Sequence, residues 1–202
     1  VTEEEALAWA SARFDGPAIG RLHCLAEIVA RESEHQNLIA RSTLNEIWSR
    51  HIVDSLQLLS LAGTGRWLDI GTGAGFPGLA IAAAEPDRQI SLVEPRKLRA
   101  DYLRSAVAEL ELPHVSVHHA KVEAINVGAD IISARAVSRI SALFASASGC
   151  SDNDTLWLLP KGRNAEDEVA EARRSWHGVF HVEQSITNPE SAIVVARHVR
   201  QR

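Results

Sequence analysis

The sequence predicts an α/β fold: a seven-stranded, mostly parallel sheet with an N-terminal helical extension. Three observations predict it. Before Gly63 the chain reads as helices, with one polar loop between the second and third. After Gly65, short apolar runs alternate with helical stretches, the pattern of right-handed strand–helix–strand crossovers. A glycine-rich turn closes the first apolar run and opens a helix.

Thr2, with Glu5 three residues on, forms a capping box that opens a helix over residues 6–14, and Gly16-Pro17 breaks it. Leu22, Leu25, Ala26, Ile28 and Val29 line one side of a second helix. Residues 35–45 are polar and aperiodic, hence a loop. Ile47, Trp48, Ile52, Leu56 and Leu59 recur at three- and four-residue steps, which predicts a third helix. Beyond Gly65 the expected strands are 67–70, 90–94, 115–118, 129–134, 155–160, 179–185 and 192–198. The expected helices are 78–84, 98–110, 140–147 and 165–174. No helical pattern separates the last two strands, so they close the sheet as a hairpin with one antiparallel member. The boundary falls at 65/66: residues 1–65 as the extension, 66–202 as the core of one compact domain.

Composition narrows the class. Hydrophobic residues at 46% and charged residues at 23% are ordinary globular values. No apolar run reaches the roughly 18 residues of a membrane span, and Val1 to Glu5 is acidic, unlike a signal peptide. Cys24 and Cys150 lie far apart and form no C-x-x-C pair, so a cytoplasmic location without disulfide or metal is expected. A net charge of −5 disfavours a strongly basic nucleic-acid binder while allowing a local basic patch. Only Lys97, Lys121 and Lys161 are lysine among the 21 basic residues, a bias given no functional weight.

The most informative segment runs Leu68-Asp69-Ile70-Gly71-Thr72-Gly73-Ala74-Gly75-Phe76-Pro77-Gly78. Glycines permit positive φ and close approach of a ligand to the main chain. The last three glycines match the dinucleotide pattern G-x-G-x-x-G, a weak match by itself. Asp69, two positions before the first glycine, argues against that ligand, because a carboxylate beside the helix start repels a pyrophosphate. It suits the ammonium of an amino-acid group instead, directly or through water. The pattern apolar-Asp-apolar-Gly-x-Gly-x-Gly resembles the S-adenosylmethionine motif of Rossmann-like class I methyltransferases. A small NAD-type reductase is the enzyme alternative, disfavoured by Asp69 and by the lack of length for a substrate domain.

Further candidates stand at the strand ends. Glu94 is placed to accept hydrogen bonds from ribose hydroxyls, a role shared by both ligand classes. After the third strand, Val122 can cover an adenine face and Glu123 can read its amino edge. His118 and His119 are adjacent in a strand and point to opposite faces, so no metal pair is expected. Strand four leads into Arg135 where the crevice opens. The N/D-P-P-Y pattern and a Pro-Cys nucleophile loop are both absent.

Residues 46–55, Glu-Ile-Trp-Ser-Arg-His-Ile-Val-Asp-Ser, together with the turn at 69–78, Val122-Glu123, the stretch 133–137 and Lys161-Gly162, resemble the bacterial ribosomal RNA small-subunit methyltransferase G family, also called glucose-inhibited division protein B. The similarity is good over about residues 30–165 and weak in the tail. It implies methyl transfer from S-adenosylmethionine to N7 of a guanine in the 530 loop of 16S rRNA, with the small ribosomal subunit as partner. By motif matching it implies cofactor contacts at Gly71, Phe76, Val122, Glu123 and Arg135, beside Asp69, Gly73, Gly75 and Glu94 from the reading above. Arg135 is also the candidate catalytic side chain, since N7 carries no proton and needs no general base. Arg50, His51, Arg139, Lys161 and Arg163 are the expected RNA-binding residues, on a monomer without membrane attachment. Leu98 and the segment 190–195 depart from the family pattern by lacking expected basic residues. The alternatives are a methyltransferase for another RNA or a small substrate, and a non-catalytic cofactor-binding assembly module.

Overall fold

The computed structural model describes residues 1–202. Helix α1 (Glu3–Ser11) begins at the expected capping box: Thr2 Oγ1 accepts from Glu5 N–H, and Glu5 accepts from Thr2 N–H. Helix α2 (Gly16–Glu32) is capped by Asp15, which accepts from Ala18 N–H at 2.8 Å. Pro17 therefore starts this helix as well as ending the previous one, because the first turn needs no N–H from it.

The expected third helix is present as an unbroken helical run over residues 47–60, but its hydrogen bonding is irregular: a π-helical turn (Trp48–Ile52), the single turn α3 (Val53–Leu56) and a 3₁₀ turn (Gln57–Ser60). A 3₁₀ turn (Arg41–Glu46) leads into it from the segment expected as a loop, because these residues continue the same right-handed helical backbone with i→i+3 bonds. A distant carboxylate takes donors at the start of the run. Glu3 accepts from Trp48 N–H at 3.0 Å, Ser49 N–H at 2.7 Å and Ser49 Oγ at 2.6 Å, which takes these donors out of a regular α ladder. Apolar spacing predicts which side chains face inward here, and they do; it says nothing of donors captured from another element.

The core alternates as expected: β1 (Trp67–Ile70), α4 (Gly78–Ala84), β2 (Ile90–Val93), α5 (Lys97–Glu109), β3 (Val115–His118), β4 (Ile131–Ala134), α6 (Ile140–Ser146), β5 (Leu156–Lys161), α7 (Ala165–Ala172), β6 (Trp176–Gln184) and β7 (Ala192–Gln201). The last two strands run longer than their apolar patterns, because pairing between β6 and β7 continues past the last strongly apolar positions to Trp176 and Gln201. The seven strands lie in the order β3-β2-β1-β4-β5-β7-β6, with β7 antiparallel to both neighbours.

Alternation along the strands divides the core into two layers. Trp67, Ile90, Leu92, Ile131 and Leu158 pack with the N-terminal helices, α4 and α5; Leu68, Ile70, Ile132, Trp157 and Leu159 pack against α6 and α7. Strands β1 and β4 are parallel neighbours at which the strand order switches from leftward to rightward growth, and at such a point the loops beyond the strand ends part to leave a crevice.

Candidate active site

The turn between β1 and α4 is built for close approach. Gly71, Gly73 and Gly75 have φ of 66°, 59° and 102°, the left-handed region that side chains disfavour. A Cβ on Gly71 would lie 2.5 Å from Val137 Cγ2. Neighbouring elements brace the turn. Tyr102 on α5 donates to Ala74 O at 3.0 Å, and Glu94 accepts from Gly73 N–H at 3.1 Å and Arg96 N–H at 2.9 Å.

Asp69 is fully buried. Its Oδ2 accepts from Gly78 N–H at 3.1 Å and its Oδ1 from Ser133 Oγ at 2.7 Å, while Ser133 accepts from Trp67 Nε1 at 2.8 Å. Burial pushes its carboxyl up to about 6, with Ser133, Thr72 and Gly78 pulling the other way. The carboxylate ties β1, β4 and the start of α4 together, so in this structure it braces the glycine turn from beneath. Asp69 also occupies an N–H at the start of α4.

Two clefts open at the carboxyl edge. The first, about 450 Å³, is lined by Gly71, Glu94, Val122 and Glu123, with Arg96, Arg99 and Lys121 also facing it. Four of the expected cofactor residues therefore meet there. Gly73, Gly75 and Phe76 are buried and shape the turn from behind. Phe76 stacks on His51, with ring centroids 5.2 Å apart, and lies under the Arg135 guanidinium at 5.4 Å.

The second cleft, about 470 Å³, is lined by Asp54, Arg135, Lys161, Glu168, Ser185 and their neighbours. Residues 136–138 wall both clefts, and Ala136 has a φ of 55°, a strained conformation for a side-chain-bearing residue. Arg135 lines the second cleft, directly before the residues shared with the first. Its guanidinium donates to Asp54 Oδ2 at 3.3 Å and to His51 Nδ1 at 3.1 Å. Burial pulls its pKa down from the usual arginine range, opposed by the Asp54 and Asp69 carboxylates.

The RNA-facing expectations divide. Arg50 is exposed and has no carboxylate partner. His51 is half-buried between Phe76, Arg135 and Thr43, whose Oγ1 lies 2.9 Å from its Nε2. Burial and the Arg135 and Arg50 charges lower its pKa to about 3, so it is neutral and offers phosphate no charge. Arg139 pairs with Glu171 at 2.8 Å, Lys161 with Glu168 at 2.8 Å, and Arg163 with Glu190. The spacing along β4 and β5 brought these cations to one edge as expected, but α7 and the turn before β7 supply the carboxylates that neutralise them. The free cations missed by sequence reasoning are Arg96, Arg99 and Lys121, around the first cleft. Their signal was present, since each sits within five residues of a strand end already marked by Glu94 or Val122.

A family model described as rRNA small subunit methyltransferase G matches residues 19–198 of the chain. A protein named ribosomal RNA small subunit methyltransferase G from Novosphingobium aromaticivorans is 48% identical, over 98% of this chain and 89% of its own. One of the same name from Erythrobacter litoralis is 42% identical over 97% and 96%. Among solved structures, an S-adenosylmethionine-dependent methyltransferase from Aquifex aeolicus superposes with a TM-score of 0.64 at 16% identity, over 82% of this chain and 97% of that one. At that identity the likeness shows the fold.

Proposed function

The chain belongs to the rRNA small subunit methyltransferase G family, and from that premise we infer that its first cleft takes S-adenosylmethionine and its second the base that is methylated. It is an S-adenosylmethionine-dependent rRNA methyltransferase, and guanine N7 is the acceptor atom in this family. The observation that carries the reading is the shared wall: residues 136–138 alone border both clefts, so a donor in one and an acceptor in the other lie side by side.

The residues present fit the cofactor. A glycine turn with positive φ at three positions bares its backbone, and a cleft of about 450 Å³ is of small-ligand size. Glu94 stands at the end of β2 for ribose hydroxyls, Val122 offers an apolar face for adenine, and Glu123 borders the adenine end. Gly71 gives backbone contact, while Asp69, Gly73, Gly75 and Phe76 hold the turn in shape. S-adenosylmethionine supplies a methyl group activated by its sulfonium.

The protein's task is alignment. Guanine N7 presents an in-plane lone pair and no proton, so the new N–C bond forms without a general base, and the S–C bonding pair stays with sulfur. Holding the two reactants in line converts an encounter into an intramolecular event. Positive charge passes to the base. Arg135 borders the acceptor cleft and is tied to Asp54 and His51, which fixes its position at the junction. Arg50, Arg96, Arg99 and Lys121 hold the surrounding RNA phosphates.

The test uses small subunits from cells lacking this protein, incubated with the purified chain and isotope-labelled S-adenosylmethionine. Label recovered as 7-methylguanosine in the 530 loop of 16S rRNA is expected. Label in another nucleoside would discard the N7 assignment, and tight cofactor binding without label would leave the non-catalytic assembly module.

A further inference from the structure

We propose that Lys161 is a positioning residue: it fixes the wall at 136–138 that separates the two clefts, and it holds no RNA phosphate. The inference rests on the reading of those clefts as donor and acceptor sites. The wall has little of its own to keep it in place. Residues 136–138 are exposed, and none of their backbone groups bonds to another backbone group. Ala136, with its φ of 55°, is in a conformation that persists only where the surroundings impose it. An exposed segment without backbone hydrogen bonds opens at little cost.

The one hydrogen bond that reaches the wall from another element is Lys161 Nζ to Ser138 O, at 2.8 Å. The sheet sets the Lys161 backbone, since this residue ends β5 and lies in register with Ala192 of β7. The same ammonium donates to Glu168 Oε2 at 2.8 Å. That oxygen also accepts, at 3.3 Å, from the N–H of Ile140, the first residue of α6. One ammonium and one carboxylate thus hold both the wall and the helix that follows it.

Exposure separates Lys161 from the other cations of this edge. Its side chain is 9% exposed, against 74% for Arg139 and 73% for Arg163. An ammonium has three donors, and two of these are taken within the protein. So enclosed, it has little surface to offer a phosphate. The methyl carbon and the N7 lone pair meet beside the wall, so a displaced wall misaligns reactants that are both still bound. A misplacement of about 1 Å is enough to lower a rate about a hundredfold. The loss falls on the chemical step and not on substrate binding.

The experiment measures methylation of small subunits from cells lacking this protein, with S-adenosylmethionine saturating. Lys161→Met keeps the apolar stem and removes the ammonium. It should lower kcat about 10- to 100-fold and keep KM for the subunits within about threefold. The slope of log affinity against log salt should not change. Glu168→Ala should also lower kcat, by about 10-fold, and the double variant should be no worse than Lys161→Met, because the two side chains act as a unit. A phosphate-holding Lys161 gives the opposite pattern. Lys161→Met then keeps kcat, raises KM and lowers the salt slope by about 1, and Glu168→Ala binds subunits more tightly at full kcat. That pattern overturns the proposal. So does an unchanged kcat in Glu168→Ala, which decides by itself should Lys161→Met not fold. A wild type that methylates no guanosine overturns the reading of the clefts, and this assignment with it.

Discussion

Asp69 and His51 both lie near the Arg135 guanidinium and titrate in opposite senses. Asp69 keeps its proton up to about 6 in the folded state, against an ordinary value of 3.8. The folded protein therefore binds more protons than the unfolded chain between roughly pH 4 and 6, and this group's contribution to stability falls as pH rises through that window. His51 is lowered from 6.5 to about 3. Its contribution is complete above 6.5 and is lost as pH falls toward 3. Thermal midpoints measured from pH 4 to 8 separate the two. Relative to wild type, Asp69→Asn should lose the part of the slope that penalises rising pH, and His51→Asn should lose the part that penalises falling pH. Parallel curves for wild type and either variant would place the titration on another group. Both residues were legible in the sequence as site residues. Their roles were not, because a carboxylate at a strand end is free or sealed according to what β4 and α4 bring to it.

The π-helical turn at Trp48–Ile52 is the element that carries His51 toward Phe76, and α1 holds it there. Glu3 makes three hydrogen bonds across that junction, two of them to backbone N–H groups. Hydrogen bonds to a charged group contribute about 1.5–3 kcal/mol each, and part of the loss is recovered by water at a half-exposed site. Glu3→Ala should therefore cost about 2 kcal/mol in chemical denaturation, well above the roughly 1 kcal/mol expected for losing the Thr2 cap. A loss no greater than that of Thr2→Ala would mean that the π turn stands without α1. Apolar periodicity found every strand and crossover helix of the core, because those elements keep their hydrogen bonds within themselves or with a neighbouring strand. It found the helical run at 47–59 as well but not its irregular hydrogen bonding, at whose start a carboxylate more than forty residues away takes two backbone donors.

Over the whole molecule, the net charge of −5 hides an uneven distribution. Cations near α7 and the last hairpin are paired with Glu168, Glu171 and Glu190, whereas Arg96, Arg99, Lys121 and Arg50 have no carboxylate partner. Exposed ion pairs of this kind contribute little stability, but they cancel the field that RNA would feel. Binding to small subunits, measured against salt concentration, should report the difference. Arg96→Ala and Lys121→Ala should each lower the slope of log affinity against log salt by about 1. Arg139→Ala, already neutralised by Glu171, should change it less. The largest change at Arg139 would place the phosphate-holding cations on the rim of the second cleft and not around the first.

The order of elements, the glycine turn, the acidic residue ending β2 and the family resemblance all follow from the sequence alone, because each is a local pattern imposed by backbone geometry or by a short motif. Tertiary structure alone decided which charges remain free and which way each carboxylate faces. Asp69 turned inward because α4 and Ser133 offer it donors. Lys161 was silenced by Glu168 seven residues on, and Arg163 by Glu190 across the hairpin. Asp54 came to the acceptor cleft because Thr187, 133 residues later, folds back to hold it. Such pairings depend on distances between elements that no local pattern encodes.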